Sequence, residues 1–335
     1  MPFELESTMD RRRFTSMAAG GLLGLPLGAR AQHTGKVWRV GFLSKAARPP
    51  DGKAPESLRN ALEALGYVEG KDIVYENRWA ELRSERLVPL AIELVALRVD
   101  LLLAMGGGPA RAAQQASSTL PIVVVNAGDM VEVGLVGSLA RPGGNLTGIN
   151  DQSAALSAKR LELLKEVVPT ATRVAVLWNA DDRGMTLRYQ EIERAARVLH
   201  IGIDPLGVRE PDDFDVALTA MDRVRPDALM MVTDALTNLN RRRVIDYVAT
   251  HRIPAIYEFG GLVRGGGLMS YGGDIGENHK LAATYIARIF KGAKPGDLPI
   301  EQPNRYFLFI NLKVAQSLGL RIPQSLLLRA DEVIE

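Results

Sequence analysis

The segment Leu101-Leu102-Leu103-Ala104-Met105-Gly106-Gly107-Gly108-Pro109-Ala110 joins a short apolar run to a glycine-rich turn and the start of a helix. An apolar run of this kind, without polar alternation, is typical of a strand buried on both faces of a parallel sheet. Glycine lets the backbone turn tightly, and proline is favoured in the first turn of a helix. The segment therefore predicts a strand–turn–helix unit, the building block of an α/β fold.

The same alternation continues in both directions from this segment. Apolar runs are separated by longer stretches with apolar residues at helical spacing, such as Ser84–Leu97 and Glu277–Lys291. This pattern indicates parallel sheets with helices on both faces. The predicted strands are Val37–Ser44, Asp72–Ala80, Leu101–Met105, Ile122–Asn126, Ala175–Asn179, Ile203–Val208, Ala228–Thr233, Ala255–Phe259 and Leu268–Tyr271.

The chain of 335 residues is long enough for two domains. The alternation begins near Val37, is interrupted by a turn-rich stretch at Arg141–Asn145, and begins again near Arg173. We therefore predict two doubly wound lobes joined by hinge strands near Asn150 and Tyr271. The predicted first lobe comprises residues 37–150 and about 272–320, the second lobe residues 151–271, and the C-terminal tail residues 321–335.

The composition excludes several classes of protein. Lys and Arg total 41 against 39 Asp and Glu, a net charge of +2. A balanced surface of this kind offers no general attraction to nucleic acid or to anionic lipid, so neither is a predicted partner. The absence of cysteine excludes thiol nucleophiles, disulfides, and cysteine-ligated zinc or iron–sulfur sites.

The N-terminal residues have the pattern of an export signal. Arg11-Arg12-Arg13-Phe14 precedes an uncharged, Gly- and Ala-rich run, and Ala29-Arg30-Ala31 supplies small residues at −3 and −1 of a cleavage site. The paired arginines favour a twin-arginine signal peptide over residues 1–31, with Sec export or a basic cytosolic terminus as alternatives. The apolar run is shorter than the ~20 residues of a membrane span. We therefore predict a periplasmic protein whose mature chain does not insert into the membrane.

Candidate binding residues follow the predicted strands, because ligands of open parallel sheets bind beyond the carboxyl ends of the strands. Free amides at Gly107–Gly108 could hold a carboxylate, side-chain acids could hold a cation or hydroxyls, and tyrosines could form an aromatic wall. A tight turn, helix N-capping and core packing are the alternative roles. The candidates are Ser44, Gly107, Gly108, Asn126, Asp129, Asn179, Asp234, Tyr257 and Tyr271.

Signals for catalysis are weak. The dinucleotide fingerprint G-x-G-x-x-G is broken at Arg111, and the sequence contains no phosphate-binding G-x-x-x-x-G-K-S/T, no G-x-S-x-G and no H-E-x-x-H motif. His200, His251 and His279 lie on or at the ends of predicted helices, where surface or capping roles are the common ones. We therefore predict no catalytic residues, no metal and no cofactor. An exported hydrolase that uses cleft carboxylates remains an alternative.

Several stretches resemble one family of extracytoplasmic binding proteins. They include Ala64–Gly70, Ser138–Gly148 (SLARPGGNLTG), Gly267–Gly272, and a tail from Ile310 that ends in Leu326–Glu335 (LLLRADEVIE). They are similar to the ABC transporter substrate-binding family typified by periplasmic tryptophan- and tyrosine-binding-like proteins. The resemblance spans nearly the whole chain after the predicted signal.

The resemblance implies a type I periplasmic-binding fold with two Rossmann-like lobes that close around a small-molecule solute. It also implies an ABC permease and its ATPase as partners, with a membrane-bound sensor as an alternative partner. The chain departs from the family at Gly107-Gly108-Pro109-Ala110, which lacks the usual Thr or Ser, at Asn179-Ala180 in place of Asn-Pro, and at Asp234-Ala235-Leu236 in place of Asp-Pro-Phe. The binding role is therefore implied, whereas an amino acid is only one candidate ligand.

Overall fold

The computed structural model describes residues 36–150, 153–303 and 305–335. Within these residues the strands form a five-stranded and a seven-stranded sheet. Each sheet carries a hydrophobic core cluster on each of its faces. This confirms the predicted α/β class, with two Rossmann-like lobes built on mostly parallel sheets. The predicted signal peptide over residues 1–31 lies outside the described residues.

The first lobe contains a fully parallel sheet in the order β2-β1-β3-β4-β5. Its strands are β1 (Trp38–Ser44), β2 (Ile73–Trp79), β3 (Leu101–Met105), β4 (Ile122–Val125) and β5 (Leu146–Ile149). Three helices connect them: α1 (Glu56–Ala64), α2 (Leu87–Ala96) and α3 (Gly107–Ala116).

Alternation along β1 shows how the first lobe is packed. Val40 and Phe42 join the core cluster that contains Leu58 and Leu62 of α1, whereas Leu43 joins the cluster on the α2 and α3 side. Successive side chains of a strand point to opposite faces, so an uninterrupted apolar run supplies both cores at once. This explains why β1, β3 and β4 lack polar alternation.

The second lobe contains a sheet in the order β12-β11-β10-β9-β8-β6-β7. Its strands are β6 (Arg173–Asn179), β7 (Gly202–Val208), β8 (Ala228–Met231), β9 (Ala255–Tyr257), β10 (Met269–Gly272), β11 (Phe307–Asn311) and β12 (Glu332–Ile334). The remaining helices are α4 (Ser153–Val167), α5 (Arg183–Val198), α6 (Asp213–Val224), α7 (Ala235–Leu239), α8 (Arg241–Thr250), α9 (Gly260–Arg264), α10 (Ile275–Phe290), α11 (Leu312–Ser317) and α12 (Gln324–Leu327).

Strand pairing corrects the predicted lobe boundaries after residue 272. Helix α10 packs on the first lobe, where Ala282 and Ile286 join the cluster of β1 and α1. Strand β11, however, pairs antiparallel with β10, and β12 pairs parallel with β11, both in the second sheet. The segment predicted for the first lobe is therefore divided, and the predicted tail contributes β12 and α12 to the second lobe. The reason is that β10 offers a free edge that β11 can occupy.

Three strands were absent from the sequence prediction, namely β5, β11 and β12. Each contains a residue that weakens a strand pattern: Gly148 in β5, Asn311 in β11 and Glu332 in β12. They form because a neighbouring strand is already in place to supply main-chain hydrogen bonds. Pairing with β4, β10 and β11, respectively, therefore overrides the weak local preference.

The chain passes between the lobes near Asn150, near Gly272 and again between Glu301 and Phe307. The first and last of these crossings are bonded together, because the Asn150 amide donates to the Glu301 carbonyl at 2.8 Å. The buried Asn150 side chain also accepts from the Met130 amide at 3.0 Å. These bonds join the crossing segments at the base of the cleft between the lobes.

Candidate functional site

A cavity of about 350 Å³ lies between the two lobes, beyond the carboxyl ends of β1, β3, β4 and β6. Both lobes contribute to its wall. The first lobe supplies Lys45, Ser84, Leu87, Val88, Gly107, Gly108, Arg111, Ala112, Gln115, Ala127 and Val133, and the second supplies Asp181, Asp182, Arg183 and Gly184. A drug-sized ligand usually fills a cavity of roughly 300–1,000 Å³. The cavity is therefore large enough for a small organic molecule.

The turn between β3 and α3 forms one side of this cavity. Gly106 adopts φ of 100°, a left-handed conformation that residues with a side chain rarely adopt, and α3 then begins at Gly107. The first amides of a helix point outward and carry partial positive charge. Gly107 and Gly108, both predicted from the sequence, thus present the start of α3 to the cavity.

Cationic side chains outnumber free acids around the cavity. Lys45, Arg111 and Arg183 line it, and Arg183 also donates to the Glu132 carbonyl at 3.4 Å. Of the two acids, Asp182 caps α5 by accepting from the Met185 amide at 3.2 Å. The Oδ1 atom of Asp181 lies 3.7 Å from the Nε atom of Arg209. Arg111 also donates to the Val133 carbonyl, but the partners of the two arginines are neutral carbonyls, so the arginines' positive charges are not offset. The wall therefore favours an anionic group on a bound molecule.

The other candidates from the first lobe lie near the cavity but do not line it. Ser44 is buried and accepts from the Ala46 amide at 3.2 Å. The Asn126 side chain accepts from Nδ2 of Asn278 on α10 at 2.7 Å. Asp129 accepts from the amides of Val131 and Glu132, both at 3.0 Å, and so closes a local turn. The structure therefore gives each of these side chains an intramolecular partner.

In the second lobe the structure brings two candidates together. Nδ2 of Asn179, which is buried, donates to a carboxylate oxygen of Asp234 at 2.6 Å. The other carboxylate oxygen of Asp234 accepts from the Thr237 amide at 2.9 Å, and the Thr237 hydroxyl accepts from the Asp234 amide at 2.9 Å. This reciprocal pair is a capping box at the start of α7. In this structure Asp234 therefore acts as the N-cap of α7, which was the alternative role considered from the sequence. A role of Asp234 in ligand binding stays a prediction.

Tyr257 and Tyr271 do not form an aromatic wall at the cavity. Tyr257 is fully buried among residues of α6, α8 and α9, and this burial raises the pKa of its hydroxyl. Its neighbour Ile256 points to the opposite core, as strand alternation requires. Tyr271 is half-buried beside Tyr306, with ring centroids 6.2 Å apart. The prediction for Tyr257 is thereby corrected: alternation in β9 directs its ring into the core of the second lobe.

A buried charge cluster near the second and third crossings was missed by the sequence reasoning. The Glu258 carboxylate accepts from Arg188 at 2.8 Å, from Arg160 at 3.1 Å and from the Thr233 amide at 3.2 Å. Arg160 also donates to the Tyr271 carbonyl at 2.7 Å. The one available signal was the charge of Glu258 inside the predicted strand Ala255–Phe259. Buried charges need partners, so such a residue in a buried strand indicates a paired site.

A buried histidine outside the cavity wall pairs two helices of the first lobe. His279 on α10 is buried and lies 2.6 Å from the Ser57 hydroxyl of α1, and desolvation lowers its pKa to about 4. It is therefore neutral at physiological pH. Within residues 36–150, 153–303 and 305–335 there is no group of three or more His, Asp or Glu side chains that could hold a metal ion.

Replacing Asp234 with alanine is expected to lower the free energy of unfolding by about 1 kcal/mol, because the first turn of α7 loses its cap. Asp234→Asn keeps one oxygen that can cap α7 but loses the acceptor for Nδ2 of the buried Asn179, so it should restore only part of the loss. Urea denaturation followed by circular dichroism would measure both variants. Equal stability of the alanine and wild-type proteins would contradict the capping role.

Comparison with known proteins supports the two-lobed architecture. A curated tyrosine-binding protein of Clostridioides difficile (strain R20291) is 24% identical over 324 residues, covering 92% of this chain and 93% of that protein. A crystal structure of a conserved domain protein from Vibrio cholerae has a TM-score of 0.83 and 26% identity, covering 89% of this chain and all of the other. An ABC domain from Streptococcus pneumonia in complex with L-Trp has a TM-score of 0.82 and 23% identity over the same shares.

The structural neighbours confirm the predicted type I periplasmic-binding fold. The sequence profile of the ABC transporter substrate binding protein family matches residues 48–334, which is most of the chain. The matched range includes every residue of the interlobe cavity wall except Lys45. The resemblance inferred from the sequence is thus confirmed, and the chain belongs to the ABC transporter substrate-binding protein family.

Proposed function

We propose that this protein is the extracytoplasmic solute-binding component of an ABC importer. The observation that carries the proposal is the interlobe cavity, whose wall is built from both lobes. A molecule that contacts both lobes binds the closed form more tightly than the open form, and this difference in affinity drives closure. Closure in turn gives the membrane components a shape that distinguishes the loaded protein from the empty one.

The solute that best fits the wall is a small organic molecule with a carboxylate. The amides at the start of α3 and the side chains of Lys45, Arg111 and Arg183 surround the same space. Amides at a helix start and guanidinium groups both bind carboxylates through charge-assisted hydrogen bonds. A tyrosine-binding relative and a tryptophan-bound structural neighbour make amino acids the first solutes to test.

Export and partners follow from the family and from the N-terminal pattern. The basic stretch at Arg11–Arg13 and the small residues at Ala29 and Ala31 favour export to the periplasm. The partners proposed are an ABC permease and its ATPase, because the chain belongs to the ABC transporter substrate binding protein family. No helix within the described ranges 36–150, 153–303 and 305–335 combines the length and apolar character needed to cross a bilayer.

Solute binding is tested by isolating the protein gently and identifying co-purified small molecules by native mass spectrometry. The identified compound is then titrated by calorimetry, together with L-tryptophan and L-tyrosine as fixed probes. Gly108→Leu should weaken binding at least about tenfold, because the leucine side chain would occupy cavity space that the solute needs and overpacking is costly. Its Cβ would already lie 3.3 Å from Leu87 in the cavity wall.

Gly261→Leu is the matched control, because Gly261 lies in α9 and has no atom within 4 Å of an added Cβ. This variant should bind the solute as the wild type does. Absence of any bound small molecule, or equal affinity of both variants, would contradict the proposed site. Chemical conversion of the solute would favour the alternative of an exported enzyme.

A further inference from the structure

Each lobe places one leucine against the core of the other lobe. Leu187 lies on α5 of the second lobe, yet it packs against the first-lobe cluster that contains Met130 and Val133. Leu82 follows β2 in the first lobe, yet it packs against the second-lobe cluster that contains Leu206 and Leu236. Both side chains are half-buried. The two contacts therefore bury apolar surface only while the lobes are together.

Other residues of α5 near Leu187 also contact the first lobe. Arg183 of α5 donates to the Glu132 carbonyl of the first lobe at 3.4 Å. A Cβ atom built on Gly184 would lie 3.9 Å from both the Ala127 carbonyl oxygen and Cγ1 of Val133. The first turn of α5 thus lies directly on the segment from Ala127 to Val133.

The contact made by Leu82 depends on a turn whose residues have positive φ. Glu81 and Leu82 have φ of 55° and 64°, a left-handed conformation that is strained for residues with side chains. The Leu82 amide donates to the Lys45 carbonyl at 2.8 Å, which fixes the turn to the wall of the cavity. Strain of this kind persists only where surrounding contacts compensate it. The turn presents Leu82 to the opposite lobe.

We propose that Leu82 and Leu187 are reciprocal closure contacts that set the balance between open and closed lobes from outside the solute cavity. Neither side chain lines that cavity. This inference rests on the proposed function, because it assumes that the lobes open to admit a solute. The two leucines are positioning residues: they change solute affinity through the population of the closed form and make no contact with the solute.

A quantitative consequence follows for affinity. If only the closed form binds tightly, the apparent dissociation constant equals the intrinsic one divided by the closed fraction. Truncating one half-buried leucine removes apolar burial that corresponds to about a tenfold change in the closed-to-open ratio. The double variant Leu82→Ala/Leu187→Ala should therefore favour the open form by about a hundredfold.

The test uses the absence of cysteine from the sequence. The substitutions Val133→Cys and Gly184→Cys introduce one cysteine on each lobe. The sulfur of the cysteine at position 133 would take roughly the place of the valine Cγ1, which lies 3.9 Å from a Cβ atom at position 184, so the two cysteines can form a disulfide. Oxidation without solute measures how often the lobes meet. The double leucine variant should form this disulfide at least about tenfold more slowly than the parent pair and should show a larger radius of gyration in X-ray scattering.

Leu187→Met conserves volume, and Val198→Ala changes a side chain of the same helix that is 78% exposed. Both should crosslink at the parent rate. Unchanged crosslinking of the double variant, with native circular dichroism, would overturn the inference. Because no solute is present, this outcome is independent of the proposed function, which fails only if the calorimetric and mass-spectrometric experiments find no ligand.

Discussion

Replacing Glu258 with alanine is expected to lower the free energy of unfolding by about 3–5 kcal/mol. The Glu258 side chain is 1% exposed, and its carboxylate joins Arg160 and Arg188, which are also buried. Removing one member of a buried ion cluster leaves charges without the group that offset their loss of hydration. The fluorescence-monitored urea transition should therefore shift strongly to lower urea concentration.

Glu162→Ala is the matched control for this variant. Glu162 pairs with Lys159 on the surface of α4 at 2.8 Å, with both side chains more than 40% exposed. Exposed pairs of this kind contribute about 0–1 kcal/mol, so the control should unfold close to the wild type. Equal shifts for the two variants would show that the Glu258 cluster contributes no more than a surface pair.

A second large loss of stability is expected when Gly148 in β5 is replaced with alanine. Gly148 has φ of 150°, and an added Cβ would overlap the carbonyl oxygen of Val124 in β4 and lie 2.7 Å from its amide nitrogen. Backbone atoms of a paired strand cannot move away without breaking the ladder. Gly148→Ala should therefore destabilise the protein by about 3 kcal/mol or more, as overpacking and backbone strain combine.

The expected loss at Gly148 is measured by thermal unfolding, with Gly137→Ala as the control. Gly137 has no atom within 4 Å of an added Cβ, so alanine there should be neutral or slightly stabilising. Gly148 also precedes the crossing at Asn150, so the variant should disturb the lobe connection as well as the sheet. A melting temperature equal to that of Gly137→Ala would contradict the predicted clash.

Prediction from sequence worked where local pattern and tertiary burial agree. Strands β3 and β4 are apolar along their whole length because nearly every side chain is buried on one face or the other. Gly107 and Gly108 lie in the cavity wall because the carboxyl ends of parallel strands meet at one edge, and their role in ligand binding stays a prediction. The same rule did not show which side chains at that edge are free. Asp129 and Asp234 have the expected topology but accept hydrogen bonds from their own turns.

The amino-acid sequence by itself determined the alternation of strands and helices, the division into two lobes and the family, because these depend on periodicity and on short local motifs. Only the tertiary structure decided that β11 and β12 join the second sheet and that Glu258 meets two arginines. It alone also decided that Leu82 and Leu187 each pack against the opposite lobe. Glu258 meets Arg188 and Arg160 across 70 and 98 residues of chain, respectively. Contacts over such separations arise from packing geometry, which no local pattern of residues encodes.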